Sequence, residues 1–345
     1  MNLLSILLSA VIAASITAWL AHRLSSPLPP PQPPLPADPE VARLLALNDD
    51  DVPAAAMSLA VTRPLEPWAR ADAGRAYAHP SLEQVRRLRM WERLCETPAS
   101  TITIGWHHGL RLPLHVGSEL AHLLYVQGAY DPNEFAFLDG FLRPGMVFVD
   151  AGANVGVYTL FAARKVAPGG RVIALEPSAR ERRAWREAVR LNHVSAELIA
   201  AGLGEQDGQA ILHVAQMERS GHNTMGAFVW GGVQEMSRED VRMRSLDSLA
   251  HELRLERLDV WKLDIEGAET AALRGAGDAL RRFRPALVLE LSPASLQAQG
   301  SSSEELLELL DGHGYAVYHF DYTTGVLTEG TANPSGENLI ALPRA

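Results

Sequence analysis

Residues 149–159 read Val-Asp-Ala-Gly-Ala-Asn-Val-Gly-Val-Tyr-Thr and follow the apolar run Met146-Val147-Phe148. A buried strand that ends in an acid and turns through glycines into a helix forms a cradle for a nucleotide cofactor. Gly152 and Gly156 let the backbone turn tightly and approach a ligand, while Asp150 and the new helix terminus offer polar contacts. The Gly152-x-x-x-Gly156 spacing puts Asn154 where the dinucleotide fingerprint has its second glycine, which leaves less room for a pyrophosphate. An amino-acid-bearing nucleoside such as S-adenosylmethionine has no pyrophosphate and suits this turn better. The plainer alternative is a glycine turn in which Asp150 caps the helix.

A second apolar, β-branched run, Arg171–Leu175, ends in Glu176-Pro177. An acid at the end of the second strand accepts both hydroxyls of a ribose, because its two oxygens match a vicinal diol. Alone, Glu176 reads as a solvated loop acid; behind the first turn it reads as a cofactor ligand. The third element, Leu258-Asp-Val-Trp-Lys-Leu-Asp-Ile-Glu-Gly-Ala-Glu269, alternates so that Val260, Lys262, Asp264 and Glu266 share one strand face. Charges on a central strand are costly to bury unless something uses them. Asp264 and Glu266 are therefore candidates to orient an acceptor, take its proton or hold a divalent cation, against the alternative that Lys262 pairs with one acid.

Together these segments resemble the FkbM family of S-adenosylmethionine-dependent methyltransferases, with its D-x-G-A-N-x-G-x-[YF]-[ST] turn, EP after strand two and later K-x-D-[IV]-E-G-A-E. The resemblance runs from about Tyr125 to Pro343 and takes in Gly128–Glu134, Ser245–Leu249 and Glu337–Ile340. It implies a cofactor site lined by Asp150, Gly152, Asn154, Gly156 and Glu176, an acidic motif of Asp264, Glu266 and Glu269, and methylation of a hydroxyl on a small molecule or glycan. No metal ligand set is assigned, and the cofactor implied is S-adenosyl-L-methionine. Methyl transfer needs alignment, a dry pocket and in some cases a base. Asp264 or Glu266 is the first candidate for that base. His222, in Ser220-Gly-His-Asn-Thr-Met225, is a further catalytic candidate, although a lone loop histidine is more often inert.

A chain of 345 residues exceeds what such a core needs. Residues 1–24 read as a transmembrane anchor: Leu3–Ala21 is free of charge, and such a stretch spans hydrocarbon of about 30 Å. A cleaved signal peptide competes, but the start has no Lys or Arg and no convincing cleavage site. Arg23 after the span, together with cytosolic supply of the cofactor, places the catalytic part in the cytoplasm. Residues 25–37 are a Pro-rich linker expected in polyproline II. Residues 38–120 read as short helical pieces forming a lid or packing region, and 121–345 as the methyltransferase domain. Within the former, Val85–Leu94 predicts an amphipathic helix packed on the core with its arginines in water, and Thr101–Trp106 is strand-like.

Forty-one acidic against 31 basic residues give a net charge of −10, which disfavours nucleic-acid substrates. Cys95 is the single cysteine, so there is no internal disulfide or thiolate zinc cage; it reads as a buried small hydrophobe.

Past the first turn, helix 179–192, strands near 196–200, 210–214 and 260–265, helix 268–273, strand 286–291 and helix 304–310 alternate as βα units do. The fold class is thus α/β, a doubly wound Rossmann-like sheet. By resemblance, 315–320 and 338–342 form the antiparallel hairpin that closes class I methyltransferase sheets. Two other classes stay open: a membrane-anchored, catalytically silent binding module with this fold, and an NAD-dependent oxidoreductase. The acceptor and the oligomeric state are not legible.

Overall fold

The computed structural model describes residues 82–96, 101–321, 325–331 and 337–344. The expected anchor, the Pro-rich linker and residues 38–81 lie outside them. Among the described residues no helix is long and apolar enough to cross a membrane.

In chain order the strands are β1 Thr101–Gly105, β2 Arg111–His115, β3 Val147–Ala151, β4 Arg171–Leu175, β5 Glu197–Ile199, β6 Gly202–Leu203, β7 Gly208–Ala215, β8 Glu235–Arg244, β9 Val260–Leu263, β10 Ala286–Leu291, β11 Tyr315–Phe320, β12 Leu327–Glu329 and β13 Glu337–Pro343. Four helices matter below: α1 Leu82–Cys95, α2 Pro132–Phe141, α3 Val157–Val166 and α4 Ala179–Asn192. The main sheet runs β12-β11-β13-β10-β9-β3-β4-β5. Strands β10, β9, β3, β4 and β5 are parallel, and β13 runs antiparallel to both β10 and β11. The chain starts at β3, moves outward through β4 to β5, then returns to β9 on the other side. That reversal between β3 and β9 is the point at which the carboxyl ends of an open α/β sheet leave a crevice for ligands.

β3 is buried along its whole length because its residues are apolar except Asp150. Its register sets Asp150 beside Ala174 of β4 and Lys262 of β9. On one face Phe148, Val260, Val288 and Ile340 pack with Leu160 and Phe161 of α3 and with the β1–β2 hairpin. On the other, Val149, Ile173, Trp261, Leu263 and Leu289 pack with Leu273, Leu280 and Leu306. This two-layer burial makes near-continuous apolar strands the ones that form the centre.

Four expectations are corrected. The segment 210–214 is a strand, β7, but it joins β8 and β6 in a separate three-stranded sheet. β8 escaped the sequence pattern because Glu235–Arg244 is charged and largely exposed, so backbone pairing with β7 rather than burial makes it a strand. Residues 101–115, inside the region expected as short helical pieces, form the antiparallel hairpin β1–β2. The helix expected over 85–94 is present as α1, yet Arg87 is 3% exposed, donates to the Tyr125 carbonyl at 3.0 Å and lies over its ring. Cys95 is exposed, and partial desolvation with the nearby Glu92 carboxylate holds its thiol above the ordinary value, which leaves it a poor nucleophile.

Candidate active site

The turn after β3 is zipped onto β4, with the amides of Gly152 and Ala153 both donating to the Leu175 carbonyl at 3.0 Å. Gly152, Asn154 and Gly156 all have positive φ, at 73°, 50° and 94°. Asn154 tolerates that region because its short side chain bonds locally, its Oδ1 accepting from the Val155 amide at 2.7 Å. Its own amide donates to Glu176 Oε2 at 2.8 Å, and the Ser178 amide donates to Oε1 at 2.8 Å. Burial pushes the Glu176 carboxyl up to about 7, against the lowering effect of those amides. A carboxylate has about four acceptor positions, so both oxygens keep capacity for hydroxyl donors.

The two glycines do different jobs. A Cβ on Gly152 would lie 2.0 Å from the carbonyl oxygen of Asp264, so this glycine lets the β3 and β9 loops touch. A Cβ on Gly156 would lie 2.8 Å from Trp185 Cδ1, so Gly156 faces a core tryptophan and not the crevice. Asp150 also departs from expectation. It is fully buried behind the turn, with Oδ2 accepting from Thr159 Oγ1 at 2.6 Å and Oδ1 left without a hydrogen bond. Lys262, 4% exposed, stands 3.8 Å from Asp150 and 3.4 Å from Asp264, and donates to the Ala151 and Gly152 carbonyls at 3.3 and 3.1 Å. Burial disfavours its charge, but Asp264 and Asp150 outweigh that and raise its pKa. Asp150 therefore stands behind the turn, where its charge faces Lys262. The sequence alternative in which Lys262 pairs with an acid holds, with two acids rather than one.

The acidic motif does not lie along one strand face, because β9 ends at Leu263 and Asp264 and Glu266 sit in the following loop. Glu266 has φ 53°, a conformation that costs a non-glycine residue energy and persists only when neighbours over-determine it. Its carbonyl accepts from Thr224 Oγ1 at 3.0 Å and Gln299 Nε2 at 2.7 Å. Its carboxylate meets His222 Nδ1 at 3.2 Å and Trp230 Nε1 at 3.4 Å. Glu269 is 1% exposed and accepts from the amides of Ile265 and Gly267 at 2.9 and 3.4 Å, so it braces this loop from below; burial pushes it up to about 8.

His222 is not alone. Its Nε2 lies 3.3 Å from Glu119 while Nδ1 faces Glu266, and Arg219 lies 3.1 Å from Glu119. Burial works against a charged imidazole, but the hydrogen bonds to Glu119 and Glu266 override it and hold the ring up at about 9. A cationic ring donates from both nitrogens, matching two carboxylate partners. His222 is thus held between two carboxylates as a clamp. Because its folded pKa exceeds the ordinary 6.5, the stability it confers is complete below about pH 6.5 and is lost as pH rises through about 9. The excess amounts to roughly 3 kcal/mol. Denaturant melts of the native chain and His222→Gln should therefore differ most at pH 6 and converge by pH 10; a gap independent of pH would remove the cationic assignment.

Two adjoining clefts open at these strand ends. The first, of about 500 Å³, has walls that include Asn154, Glu176, Leu203, Leu212 and Asp264. The second, of about 750 Å³, is bounded by Glu119, Tyr130, Tyr158, Lys262, Asp264 and Glu266, among others. Gly152, Asn154, Ser220, Gly221, Asp264 and Glu266 belong to both. The structure thus brings Gly152, Asn154, Glu176, His222, Asp264 and Glu266 together, leaves Asp150 and Gly156 behind the wall, and adds Lys262, Glu119, Tyr130 and Trp230, which sequence reasoning did not assign to the site. Only Lys262 carried a signal, as a lysine inside a buried strand. Carboxylate oxygens of Asp264, Glu266 and Glu290 lie within 4.8 Å of one another. Lys262 beside Asp264 and His222 beside Glu266 already supply the positive charge there.

The fold is thus a doubly wound sheet with a crevice at its switch point, an acid at the end of β4 and a glycine turn at the end of β3. Residues 150–317 match the family model described as Methyltransferase FkbM domain. Among curated proteins it is 28% identical over 249 residues to the AMB antimetabolite synthetase AmbE of Pseudomonas aeruginosa, covering 62% of this chain and 11% of that one. It is also 28% identical over 211 residues to Methyltransferase 1 of Beauveria bassiana, covering 56% of this chain and 79% of the other. The chain thus spans about a tenth of the first relative's length and most of the second's. Similar solved structures include methyltransferase FkbM from Methylobacillus flagellatus KT, with TM-score 0.37, 15% identity and coverage of 75% and 59%. Another is a SAM-dependent O-methyltransferase from Thermotoga maritima, with TM-score 0.36, 11% identity and coverage of 74% and 81%.

Proposed function

We propose that the chain transfers the methyl group of S-adenosyl-L-methionine to a hydroxyl of a small molecule or glycan. The observation that carries this reading is Glu176, held at the end of β4 by two backbone amides with acceptor capacity left on both oxygens. The residues present fit the cofactor. Glu176 suits the ribose diol, Leu175, Leu203 and Leu212 offer an apolar wall for a purine, and Asp264, with a third of its side chain exposed, suits an ammonium group. When bound, S-adenosylmethionine supplies an electrophilic methyl on a sulfonium.

The chain's own residues would then do the rest. Lys262 fixes the Gly152 turn and Asp264 in one geometry. Glu266, with His222 and Trp230 on its carboxylate, orients an acceptor hydroxyl in the second cleft. The proton released on methylation passes to Asp264 or Glu266, since His222 is already charged. In this reading the N-terminal segment 1–24 tethers the enzyme to a membrane with its catalytic part in the cytoplasm, which fractionation of the full chain against one lacking residues 1–24 tests.

Titration calorimetry and thermal melting of the full chain with S-adenosylhomocysteine and, separately, NAD test the function. S-adenosylhomocysteine at a hundred times its Kd should stabilise the fold by about 2.7 kcal/mol. Glu176→Gln should weaken binding by about tenfold to a hundredfold. Because diol donors favour the ionised carboxylate, affinity should rise about tenfold per pH unit up to about 7 and then level. A response to NAD alone, or to neither compound, removes the methyltransferase reading in favour of an oxidoreductase or a silent module.

A further inference from the structure

Loop Met217–His222 covers both clefts through Ser220 and Gly221, and it is pinned at three places. Asn154 Nδ2 donates to the Ser220 carbonyl at 3.1 Å, which ties the loop to the glycine turn. His222 meets Glu266, which ties it to the acidic motif. The third pin is Glu119, which takes both Arg219 at 3.1 Å and His222 at 3.3 Å. Glu119 precedes the matched residues 150–317 and belongs to a different part of the chain from the other two.

Its mounting is rigid. Ser118 caps the turn Glu119–His122 by accepting from the Ala121 amide at 3.3 Å, and the next five residues, Leu123–Gln127, are all buried. The loop it holds is a short 3₁₀ segment whose helical geometry breaks at Arg219, with φ −118° and ψ 32°. A fixed carboxylate gripping two side chains, one at that break and one past it, has the parts of a latch.

We infer that Glu119 is a positioning residue for this site: by gripping Arg219 and His222 it holds loop Met217–His222 closed over the cofactor and acceptor clefts. Ligand exchange then requires that grip to break. The inference rests on the cofactor reading only for its kinetic half. The groups facing His222 and the loop are Glu119 and Arg219, Glu266 and Asp264 from the acidic motif, and Glu218 on the loop itself.

The test is stopped-flow binding of S-adenosylhomocysteine to the full chain, with NMR titration of the His222 ring, in the native protein, Glu119→Gln and Glu119→Asp. Glu119→Gln should raise both association and dissociation rates about fivefold or more, with little change in Kd, as a loosened cover does. It should also lower the His222 midpoint by about one pH unit or more, and Glu119→Asp should restore part of each. Unchanged exchange rates, an unmoved His222 midpoint, or a weaker Kd at unchanged association rate would each overturn the inference. Should Glu119→Gln fail to fold, Arg219→Gln cuts the Arg219 half of the grip and is read by the exchange rates alone, since it leaves Glu119 on His222 and does not lower that midpoint. If the native chain does not bind S-adenosylhomocysteine, the proposed function falls, and the His222 midpoint still decides whether Glu119 grips the loop.

Discussion

Lys262→Met is expected to destabilise the fold by about 3–5 kcal/mol, since it strips the counter-charge from a fully buried carboxylate. Asp150 is 0% exposed and its Oδ1 has no hydrogen bond, so the nearby ammonium is what compensates that oxygen. Methionine matches the length of the lysine stem and keeps contact with the Tyr158 ring, over which Lys262 Nζ lies at 5.1 Å. The loss should therefore be electrostatic and not a packing defect. Burial already raises the Asp150 pKa, and removing Lys262 raises it further. The variant's penalty must then shrink as pH falls and Asp150 takes up a proton. Denaturant melts at pH 5 and 8 check this, and adding Asp150→Asn to Lys262→Met should recover stability at pH 8. A penalty equal at both pH values would mean that Lys262 acts through packing alone.

Gly152→Ala is expected to cost at least about 3 kcal/mol and to abolish binding of S-adenosylhomocysteine. The new Cβ would sit 2.0 Å from the Asp264 carbonyl oxygen, and backbone on both sides leaves no flexible side chain to give way. The positive φ of 73° adds a further ~1–2 kcal/mol for any L side chain. Gly156→Ala should be milder despite its φ of 94°, because its closest neighbour is a side-chain ring atom of Trp185 at 2.8 Å and not backbone at 2.0 Å. Gly221→Ala, with nothing within 4 Å, should leave stability within about ±0.5 kcal/mol. Thermal melts of the three variants rank them, and a Gly152→Ala protein as stable as Gly221→Ala would show that the turn has slack.

The centre of the sheet was legible because burial on both faces makes β3, β4, β9 and β10 apolar apart from Asp150, Arg171, Lys262 and Glu290, and their ends are marked by Gly152, Pro177, Asp264 and Ser292. Strand β10 falls where the pattern put it for the same reason, helix α4 where its one-sided apolar stripe put it, and β11 where the resemblance put it. β8 was not legible: a charged strand leaves no hydrophobic period, and only its partner β7 makes it one. The β1–β2 hairpin was half legible, since Thr101–Trp106 reads as a strand but its return strand contains Pro113.

At the site, residue types fixed the chemistry, and geometry assigned the jobs. A strand-ending acid, a glycine turn and a lysine among acids on a buried strand belong to one chain segment each, and local patterning is enough to mark them. Whether Asp150 faces a ligand or a lysine depends on the neighbouring strand's register, which sets it beside Lys262. Whether His222 is a base or a clamp depends on Glu119, 103 residues away in the chain, and on Glu266, 44 residues away. No local pattern carries such separations, because a proton's affinity for a ring is set by the charges that folding brings within hydrogen-bond reach.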